Sequence, residues 1–593
     1  MNTTLLIAFG ILALWLGYKI YGSLIERRIA QPDDSRPTPA HEKFDGLDYV
    51  PANKWVLLGH HFASIAGAGP IIGPVLAASL YGWLPAYLWI IFGGIFMGAV
   101  HDYLSLVASV KEKGASIVKI AEKGISPLAK NMFSIFLFVA LSLVVGVFAV
   151  VTAKTFIKQP ELVLPSFGLI LVAMLVGMLI YRFGLGVWFS ALIGFFSLLF
   201  LLWLGYKIPV TIGVEYKPDH DYWFSVTLPS FGLSPFTAWT LLLLGYAFVA
   251  SVTPVWVLLQ PRDFLATFQL IFGLTLGILG ALFAGAVLKA PALAGLHLTD
   301  KPLWPFMFVI IACGAISGFH SLVASGTTSK QLDKESDAKL VGFGGMLLES
   351  LLALVALLSV TAGLYWLSKP QGVEGFVFQD LLKQSPILAF GYGYGELVSQ
   401  GLPFIGFAVA SFFGMMMLNA FVMTTLDSAS RINRLIFTDL TGIKNKYIAS
   451  LAGILIGAFF ALTNAWTIIW PVFGSANQLI AALTLIVLTA YLIGVRKPTK
   501  YTLIPALFMS VTTLSILLFQ TVSFLINGKY TLSLVALILF LLAVAIAREA
   551  YKVFAGYYSL PEIKIPTHLK VLLLLLLLEG VTVLIATLWV SSL

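Results

Sequence analysis

Apolar stretches of roughly 20 residues recur along almost the whole chain, and they limit its possible folds more than any other feature. Of 593 residues, 59% are hydrophobic and only 11% are charged, and the mean hydropathy is +0.96. A helix of about 20 residues crosses the roughly 30 Å of bilayer hydrocarbon, where only helices and closed barrels pair all their backbone groups. The pattern predicts an all-α polytopic membrane protein, embedded in a lipid bilayer, and excludes an ordinary soluble domain.

About sixteen stretches have the length of a transmembrane helix. They lie near residues 3–24, 54–80, 83–110, 131–153, 163–182, 184–206, 236–260, 264–290, 303–326, 342–368, 402–424, 446–463, 465–493, 501–525, 530–547 and 570–592. The first stretch lacks the basic start of a secretory signal, so we interpret it as a retained span. We expect long loops only at 25–53, 207–235 and 369–401, the first cytoplasmic and the other two external.

The positive net charge is explained by topology rather than by a nucleic-acid partner. The formal net charge is +9, from 36 Lys and Arg against 27 Asp and Glu. Placing the N-terminus outside puts most of the basic residues in cytoplasmic loops, as in bacterial inner-membrane proteins.

The single cysteine, Cys313, excludes a disulfide framework within one chain. Oligomeric state does not follow from the sequence.

The segment HHFASIAGAGPIIGPVLAA, which starts at His60, predicts a span that is broken in the middle. Pro70 removes a helical hydrogen bond, and Gly67, Gly69 and Gly73 allow the chain to unwind around it. Unpaired backbone groups are costly in lipid, so such a break must face a water-filled cavity or a ligand. The alternative is that these small residues only let neighbouring helices pack closely.

A second break is expected at YAFVASVTPVW, where Pro254 lies in mid-span. It comes five spans after the first, so two five-span units would enter the membrane from opposite sides. This predicts a core with the 5+5 inverted repeat of the leucine-transporter fold. The expected organisation is 1–53, an N-terminal span and connection; 54–206, the first repeat; 207–235, an external loop; 236–424, the second repeat; and 425–593, accessory spans.

The breaks supply a candidate site for a small-molecule substrate. The second half of the first broken span would present backbone N–H groups and its positive dipole end to a carboxylate. The expected substrate-binding residues are His61, Ser64, Gly67, Ala68 and Gly69 at the first break, and Ser251, Thr253 and Trp256 on the opposite wall.

Five ionisable residues inside spans lie at a similar expected depth, on the order of 10 Å from one membrane surface. They are His60, His61, His101, Asp102 and His320. Histidine exchanges protons near neutral pH, and a carboxylate can orient it. We therefore expect a proton-coupling site formed by Asp102 with His61, His101 or His320. Buried histidines that only hold the helices together are the alternative. A metal site formed by His60, His61, His101 and His320 is a weaker alternative, since no pair has metal-ligand spacing on one helix.

The segment ISGFHSLVASGTTS carries hydroxyls that could hold a sodium ion as the coupling ion instead of a proton. The candidate residues are Ser321, Ser325, Thr327 and Thr328. Such hydroxyls also bond to their own helix, which is the commoner case.

No cofactor is expected. The carboxylates Glu349 and Glu579 are interpreted as structural.

Five motifs, in order, resemble the carbon starvation protein A (CstA) family between about residues 50 and 500. They are GHHFASIAGAGPIIGPVLAA, GGIFMGAVHDY, ACGAISGFHS, TTLDSASR and IIWPVFGSANQL. The resemblance implies a member of the amino acid, polyamine and organocation (APC) transporter superfamily. It further implies uptake of peptides, or of pyruvate with protons, in starved bacteria.

Two positions depart from the pattern of that family. Glutamine is expected where this chain has His101, and the stretch ASGTTSKQ after ISGFHSLV differs from better-known members.

In TTLDSASR, Asp427 and Arg431 are four residues apart, which predicts a gate or a helix-end ion pair. The stretch WPVFGSANQ is interpreted as a further Pro/Gly interruption used in packing or assembly.

Together these features predict a secondary active transporter, not an enzyme, that imports a pyruvate-like monocarboxylate with a proton. Proton-coupled uptake of peptides or amino acids is the alternative. A monocarboxylate is favoured because a dipeptide needs an acidic partner for its amine and no carboxylate lies in either expected break. An intramembrane metalloprotein and a nutrient-sensing receptor are the rival classes.

Overall fold

The computed structural model describes residues 1–46, 48–181, 183–217, 221–253, 259–295, 301–372, 374–463 and 466–558. Within these residues the chain is built almost entirely of helices. Several long helices start at a Ser-Pro pair, as at Ser126-Pro127, Ser234-Pro235 and Ser385-Pro386. In each pair the serine hydroxyl accepts a hydrogen bond from a first-turn N–H, and proline occupies the first helical position, where no N–H is needed.

The first half of the chain contains eleven described helices and two short strands. The helices are α1 Thr3–Ala30, α2 Pro39–Glu42, α3 Lys54–Ile65, α4 Gly69–Tyr81, α5 Trp83–Lys111, α6 Ile117–Gly124, α7 Pro127–Lys158, α8 Val163–Tyr181, α9 Val187–Lys207, α10 Pro235–Val252 and α11 Leu259–Ala284. Strands β1 Val210–Ile212 and β2 Val226–Leu228 pair in parallel. This small sheet lies in the predicted loop 207–235 and, apart from three isolated β-bridges, is the one departure from an all-helical fold among the described residues.

Ten further helices follow. They are α12 Leu303–Ile310, α13 Gly318–Gly326, α14 Glu335–Gly363, α15 Phe378–Gln384, α16 Pro386–Gly401, α17 Phe407–Thr441, α18 Lys446–Leu462, α19 Trp466–Gly494, α20 Lys500–Ile526 and α21 Tyr530–Tyr558. The outer helices expose large apolar side chains, as a lipid-facing surface requires; examples are Phe9, Phe196, Phe459 and Leu541.

The count of sixteen spans is not confirmed. Among the described residues, eleven helices are long and apolar enough to cross a membrane, or twelve if a bent pair is one span. The predicted last span, 570–592, lies outside the described residues. The predicted loop 369–401 was wrong in part, because α15 and α16 lie within it and α16 packs against α11, α14 and α17.

The first predicted break is confirmed. Helix α3 ends at Ile65 and α4 begins at Gly69, and the two are bent by 47°. Ala66 leaves the helical conformation, with ψ of 89°. Pro70 lies in the first turn of α4, where its missing N–H costs no helical bond.

The second predicted break, at Pro254, lies outside the described residues. Helix α10 ends at Val252, Thr253 is extended, and residues 254–258 are not described. A break that the sequence did not predict divides the stretch 303–326 into α12 and α13, and this interruption is called the second break below. The seven residues 311–317 between them are not helical, and no proline within them marks the interruption.

The two broken spans pack against each other in opposite directions. The first half of one touches the second half of the other, since α3 contacts α13 and α4 contacts α12. Their breaks are in close contact: a Cβ on Gly69 would lie 2.3 Å from Cys313 Sγ, and one on Gly73 would lie 2.6 Å from the Ile310 carbonyl oxygen. Larger side chains at these two positions would overlap the second break, so glycine is required there.

Around this pair, long helices form the rest of the core. Helix α7 packs along α17 and α18, while α14 packs on α4 and α16. Helix α19 contacts both α12 and α13, so it lies beside the second break. The breaks are thus enclosed by helices rather than exposed to lipid.

We expect Gly73→Ala to destabilise the protein by about 1–3 kcal/mol, because the added methyl overlaps backbone in α12. The matched control is Gly245→Ala in α10, where no atom lies within 4 Å of the added methyl. That control should hold or slightly raise stability, since Ala is the better helix former. The measurement is the thermal unfolding midpoint in detergent; equal midpoints for the two variants would contradict the packing described.

Candidate functional site

A chain of four buried ionisable side chains joins α5, α13 and α14. His320 Nδ1 lies 2.7 Å from Asp102 Oδ2, and His320 Nε2 lies 3.0 Å from Glu349 Oε2. His101 Nδ1 lies 2.7 Å from the other oxygen of Asp102. All four side chains are fully buried. The structure therefore brings together Asp102, His101 and His320, as the sequence predicted, and adds Glu349, which was interpreted as merely structural.

His320 connects this network to the second break. It is the third residue of α13, whose first turn begins immediately after the non-helical residues 311–317. A movement of α13 would therefore change the distances from His320 to Asp102 and Glu349. The network has the geometry for a proton-binding site coupled to the broken helix.

His60 and His61 lie on different sides of α3, as adjacent helical residues must. His61 is buried, and its Nδ1 lies 2.9 Å from the Thr328 hydroxyl. His60 Nδ1 lies 3.2 Å from Asp263 Oδ2 on α11. Of the four histidines of the alternative metal site, His60 and His61 thus contact Asp263 and Thr328, whereas His101 and His320 contact Asp102. No group of ligands suited to a metal occurs among the residues that the structure describes.

The hydroxyls of the possible cation site are used in hydrogen bonds within the protein. Ser321 donates to the Gly318 carbonyl and lies 3.0 Å from the Thr484 hydroxyl. Ser325 and Thr327 donate to carbonyls in their own helix. Together with the contact between Thr328 and His61, these bonds leave no cluster of free hydroxyls at this position in the described structure.

Asn477 on α19 holds the second break in place. Its side-chain oxygen accepts from the Phe319 N–H at 3.0 Å, and its amide donates to Ser317 Oγ at 3.1 Å. Gln478 donates to the Phe308 carbonyl at 3.0 Å on the other side of the break. The motif WPVFGSANQ, predicted as a further interruption, lies in helix α19, and its polar side chains bind the interrupted α12 and α13 instead.

At the first break, the N–H groups of Gly67, Ala68 and Gly69 donate no backbone hydrogen bond among the described residues. The N–H groups of Ile71 and Ile72 donate to the Ala68 carbonyl, so they are used in the first turn of α4. Gly67 packs beside Thr425 on α17, where an added Cβ would lie 2.9 Å from its hydroxyl. Ser64, one turn earlier, donates to Asp263 Oδ2 at 3.4 Å.

A cavity of about 230 Å³ reaches both breaks from the side of α4 and α12. Gly69, Ala312 and Cys313 line its inner end, and Lys301 and Gln520 are among its polar residues. Its volume suits a small molecule. The breaks are therefore accessible to a ligand from this side.

The predicted opposite wall is placed elsewhere. Ser251 is buried between α17 and α18, with its hydroxyl 2.9 Å from that of Ser450. Thr253 donates to the Val249 carbonyl at the end of α10. Trp256 lies outside the described residues. The described residues beside the glycines of the first break are Thr425 and Phe148 at Gly67 and Cys313 at Gly69, rather than Ser251 and Thr253.

Two charged residues at the start of α11 were missed by sequence reasoning. Arg262 and Asp263 are both 1% exposed. Arg262 Nη1 donates to Asp427 Oδ2 and to the Tyr246 hydroxyl. Sequence reasoning missed them because they lie between two apolar stretches, where charged residues are normally found at the membrane surface. The available signal was the pair of adjacent charged residues in the segment QPRDF.

The predicted ion pair of Asp427 with Arg431 is therefore replaced by one with Arg262. Arg431 donates instead to the backbone carbonyls of Ala250 and Thr253. Asp427 thus joins α17 to α10 and α11 across the helix bundle, whereas the sequence predicted a contact within one helix.

Two broken spans that meet in opposite directions, beside a cavity and a buried ionisable network, define a membrane transporter. Comparison with known proteins gives the same class. The family described as carbon starvation protein CstA matches residues 2–375 and 376–516. The chain belongs to this family, as its five sequence motifs indicated.

Relatives in the family carry two different functional names. The chain is 30% identical to "Peptide transporter CstA" of Bacillus subtilis (strain 168) over 559 residues, covering 86% of this chain and 89% of that protein. It is 32% identical over 575 residues to "Peptide transporter CstA" of Campylobacter jejuni, covering 84% and 77%. It is 31% identical over 592 residues to "Pyruvate/proton symporter BtsT" of Escherichia coli (strain K12), covering 85% and 80%.

Among solved structures, the manganese transporter of Eremococcus coleocola, in complex with an aromatic bis-isothiourea substituted compound, aligns over 87% of this chain and 99% of that chain. The sequence identity is 12% and the TM-score is 0.43.

We expect Asn477→Ala to destabilise the protein by about 1–3 kcal/mol, because it leaves the buried Phe319 N–H and Ser317 hydroxyl without their partner. Asn527→Ala, at an exposed helix end, is the matched control and should change the free energy of unfolding by less than about 0.5 kcal/mol. Thermal unfolding of both purified variants in detergent makes the comparison. Equal loss in both would argue against a special role of Asn477 at the break.

Proposed function

We propose that this protein imports a small carboxylate-bearing nutrient by proton symport and alternating access. The observation that carries the proposal is the buried network Glu349–His320–Asp102–His101, joined to the second broken helix. Ionisable groups inside a membrane are costly, so a connected set of four supports a role in moving a proton. A proton bound there would favour one position of α13 over another, which couples the proton to the breaks.

The substrate carboxylate would bind at the first break. In this proposal the N–H groups at Gly67, Ala68 and Gly69, at the positive end of α4, contact its oxygens. Support comes from the cavity of about 230 Å³ that ends at Gly69 and Cys313. His61 would act through Thr328 rather than on the substrate, because its ring is packed toward that residue.

Pyruvate-like acids and peptides are both kept as substrates. The sequence argument for a monocarboxylate depended on there being no carboxylate near the breaks. Asp263, 3.4 Å from Ser64, removes that premise and would give the amine of a peptide an acidic partner. The relatives named above include transporters of both kinds.

The finer architecture is also a proposal. The first half of each broken span packs against the second half of the other, α3 against α13 and α4 against α12, so the two would cross the membrane in opposite directions. We propose that α3–α4 and α12–α13 are the matching first helices of an inverted repeat of the leucine-transporter type, as in the APC superfamily. The second repeat would then begin at Leu303 rather than at residue 236. The bacterial inner membrane, with the N-terminus outside, is the proposed location.

The test is uptake by proteoliposomes that hold the purified protein. Labelled pyruvate and labelled dialanine are supplied separately, with and without an inward proton gradient. Accumulation of either compound that requires the gradient supports the proposal and names the substrate. Equal uptake with and without the gradient would overturn proton coupling, and no uptake of either would overturn the substrate class.

We expect Asp102→Asn and Glu349→Gln to abolish gradient-driven accumulation but to leave exchange of labelled for unlabelled substrate. Each change removes a carboxylate that contacts His320, and exchange needs the substrate site but no net proton movement. The matched control is Asp380→Asn, a carboxylate in an exposed ion pair 3.6 Å from Lys383, which should accumulate substrate normally. Unchanged accumulation in Asp102→Asn would remove Asp102 from the mechanism, and loss of exchange together with thermal stability would indicate a structural role.

A further inference from the structure

Two nitrogens of the buried Arg262 guanidinium are not used by its ion pair with Asp427. The side chain is 1% exposed, yet only Nη1 is hydrogen-bonded, to Asp427 Oδ2 and Tyr246. Nε and Nη2 have no partner among the described residues, and neither has Asp427 Oδ1. A buried donor without a partner is costly, and these two form the parallel edge that binds a carboxylate through two hydrogen bonds. Asp427 does not occupy that edge.

Two contacts connect the neighbours of Arg262 and Asp427 to the first break. The neighbouring residue Asp263 contacts His60 and Ser64, which lie in the last two turns of α3 before the chain unwinds. On α17, Thr425 packs against Gly67 in the break and is two residues from Asp427. Arg262 is thus held on the α3 side of the break, whereas the cavity described above opens on the side of α4 and α12.

The charges around Arg262 indicate what kind of ligand fits. Two carboxylates belong to this part of the structure: Asp427 pairs with Arg262, and Asp263, the next residue in the chain, contacts His60. A single carboxylate can use the free edge of the guanidinium, whereas a doubly charged phosphate would meet stronger repulsion from both aspartates. The unpaired Oδ1 of Asp263 is in addition available to an ammonium group.

We propose that Arg262 binds the carboxylate of the transported substrate on the α3 side of the first break, through Nε and Nη2. The proposal rests on the proposed function and adds a residue that selects acids over their neutral analogues. The substrate would pass from the backbone site near Gly69 to Arg262, or in reverse, as the two halves of the broken spans move. Arg262 thereby receives a ligand on the edge that Asp427 leaves free.

The test is equilibrium binding of labelled pyruvate and of labelled dialanine to the detergent-purified protein, each in competition with its own carboxamide. The wild type should prefer each acid that it binds over the amide. Arg262→Lys keeps the charge but loses the parallel pair of donors, so we expect it to weaken binding of the acid by roughly tenfold or more and leave binding of the amide unchanged. Arg434→Lys, on α17 and outside the site, is the matched control and should keep the wild-type preference.

A second variant separates binding from folding. Arg262→Gln with Asp427→Asn removes both members of the ion pair, so no uncompensated buried charge remains. We expect this protein to keep a single elution peak and an unfolding midpoint near that of the wild type, but to prefer the acid much less strongly, since only the backbone site near Gly69 then receives the carboxylate. Asp427→Asn alone should retain the preference for the acid, since the free edge of Arg262 is still present.

The outcomes distinguish this proposal from the function on which it rests. If the wild type binds either acid and the two Arg262 variants keep its preference over the amide, the role of Arg262 is overturned and the proposed function stands. If the wild type binds neither acid, both are overturned. A loss or a roughly tenfold or greater reduction of the preference in folded Arg262 variants, for pyruvate, for dialanine or for both, supports the proposal and names the carboxylate that Arg262 receives.

Discussion

Every backbone group that leaves a helix inside a membrane must find a partner in the protein or in a ligand. Here two helices are interrupted at the same place, and each interruption depends on the other. The glycines at 69 and 73 allow the residues around 310–313 to come within contact distance. Asn477 then binds the unwound segment before α13 from a third helix. The arrangement of α12, α13 and α19 follows from satisfying these few exposed groups.

The ionisable side chains are arranged around the same constraint. His320 lies just after the second break and contacts carboxylates on α5 and α14, so the network is attached to the helix that follows this break. On the other side, Asp263 and Arg262 connect the last turns of α3 to α11 and, through Asp427, to α17. Protons and substrate would therefore act on different ends of the same pair of broken helices. This separation is what coupling requires, because each ligand must favour one arrangement of a shared element.

The two names carried by relatives of this chain need not imply two kinds of site. Pyruvate and a peptide share a carboxylate, and they differ in whether an ammonium group accompanies it. A site that holds an arginine with a free edge next to an aspartate with a free oxygen contains partners for both groups. Whether the aspartate is used would then decide between the substrates, with little change in the rest of the fold.

Local sequence determined much of this protein. The apolar stretches determined a helical membrane protein, and Gly67, Gly69 and Pro70 located the first break because glycine and proline change the backbone at their own position. The similar depth of Asp102, His101 and His320 followed from counting residues along predicted spans. Only the tertiary structure decided the second break, because the interruption at 311–317 contains no proline and is held by Asn477, more than 150 residues away. It alone also decided that Glu349 joins His320, that Asp427 pairs with Arg262 rather than Arg431, and that α16 lies in the bundle. These outcomes depend on which helices are neighbours, and the pattern within one helix carries no information about its neighbours.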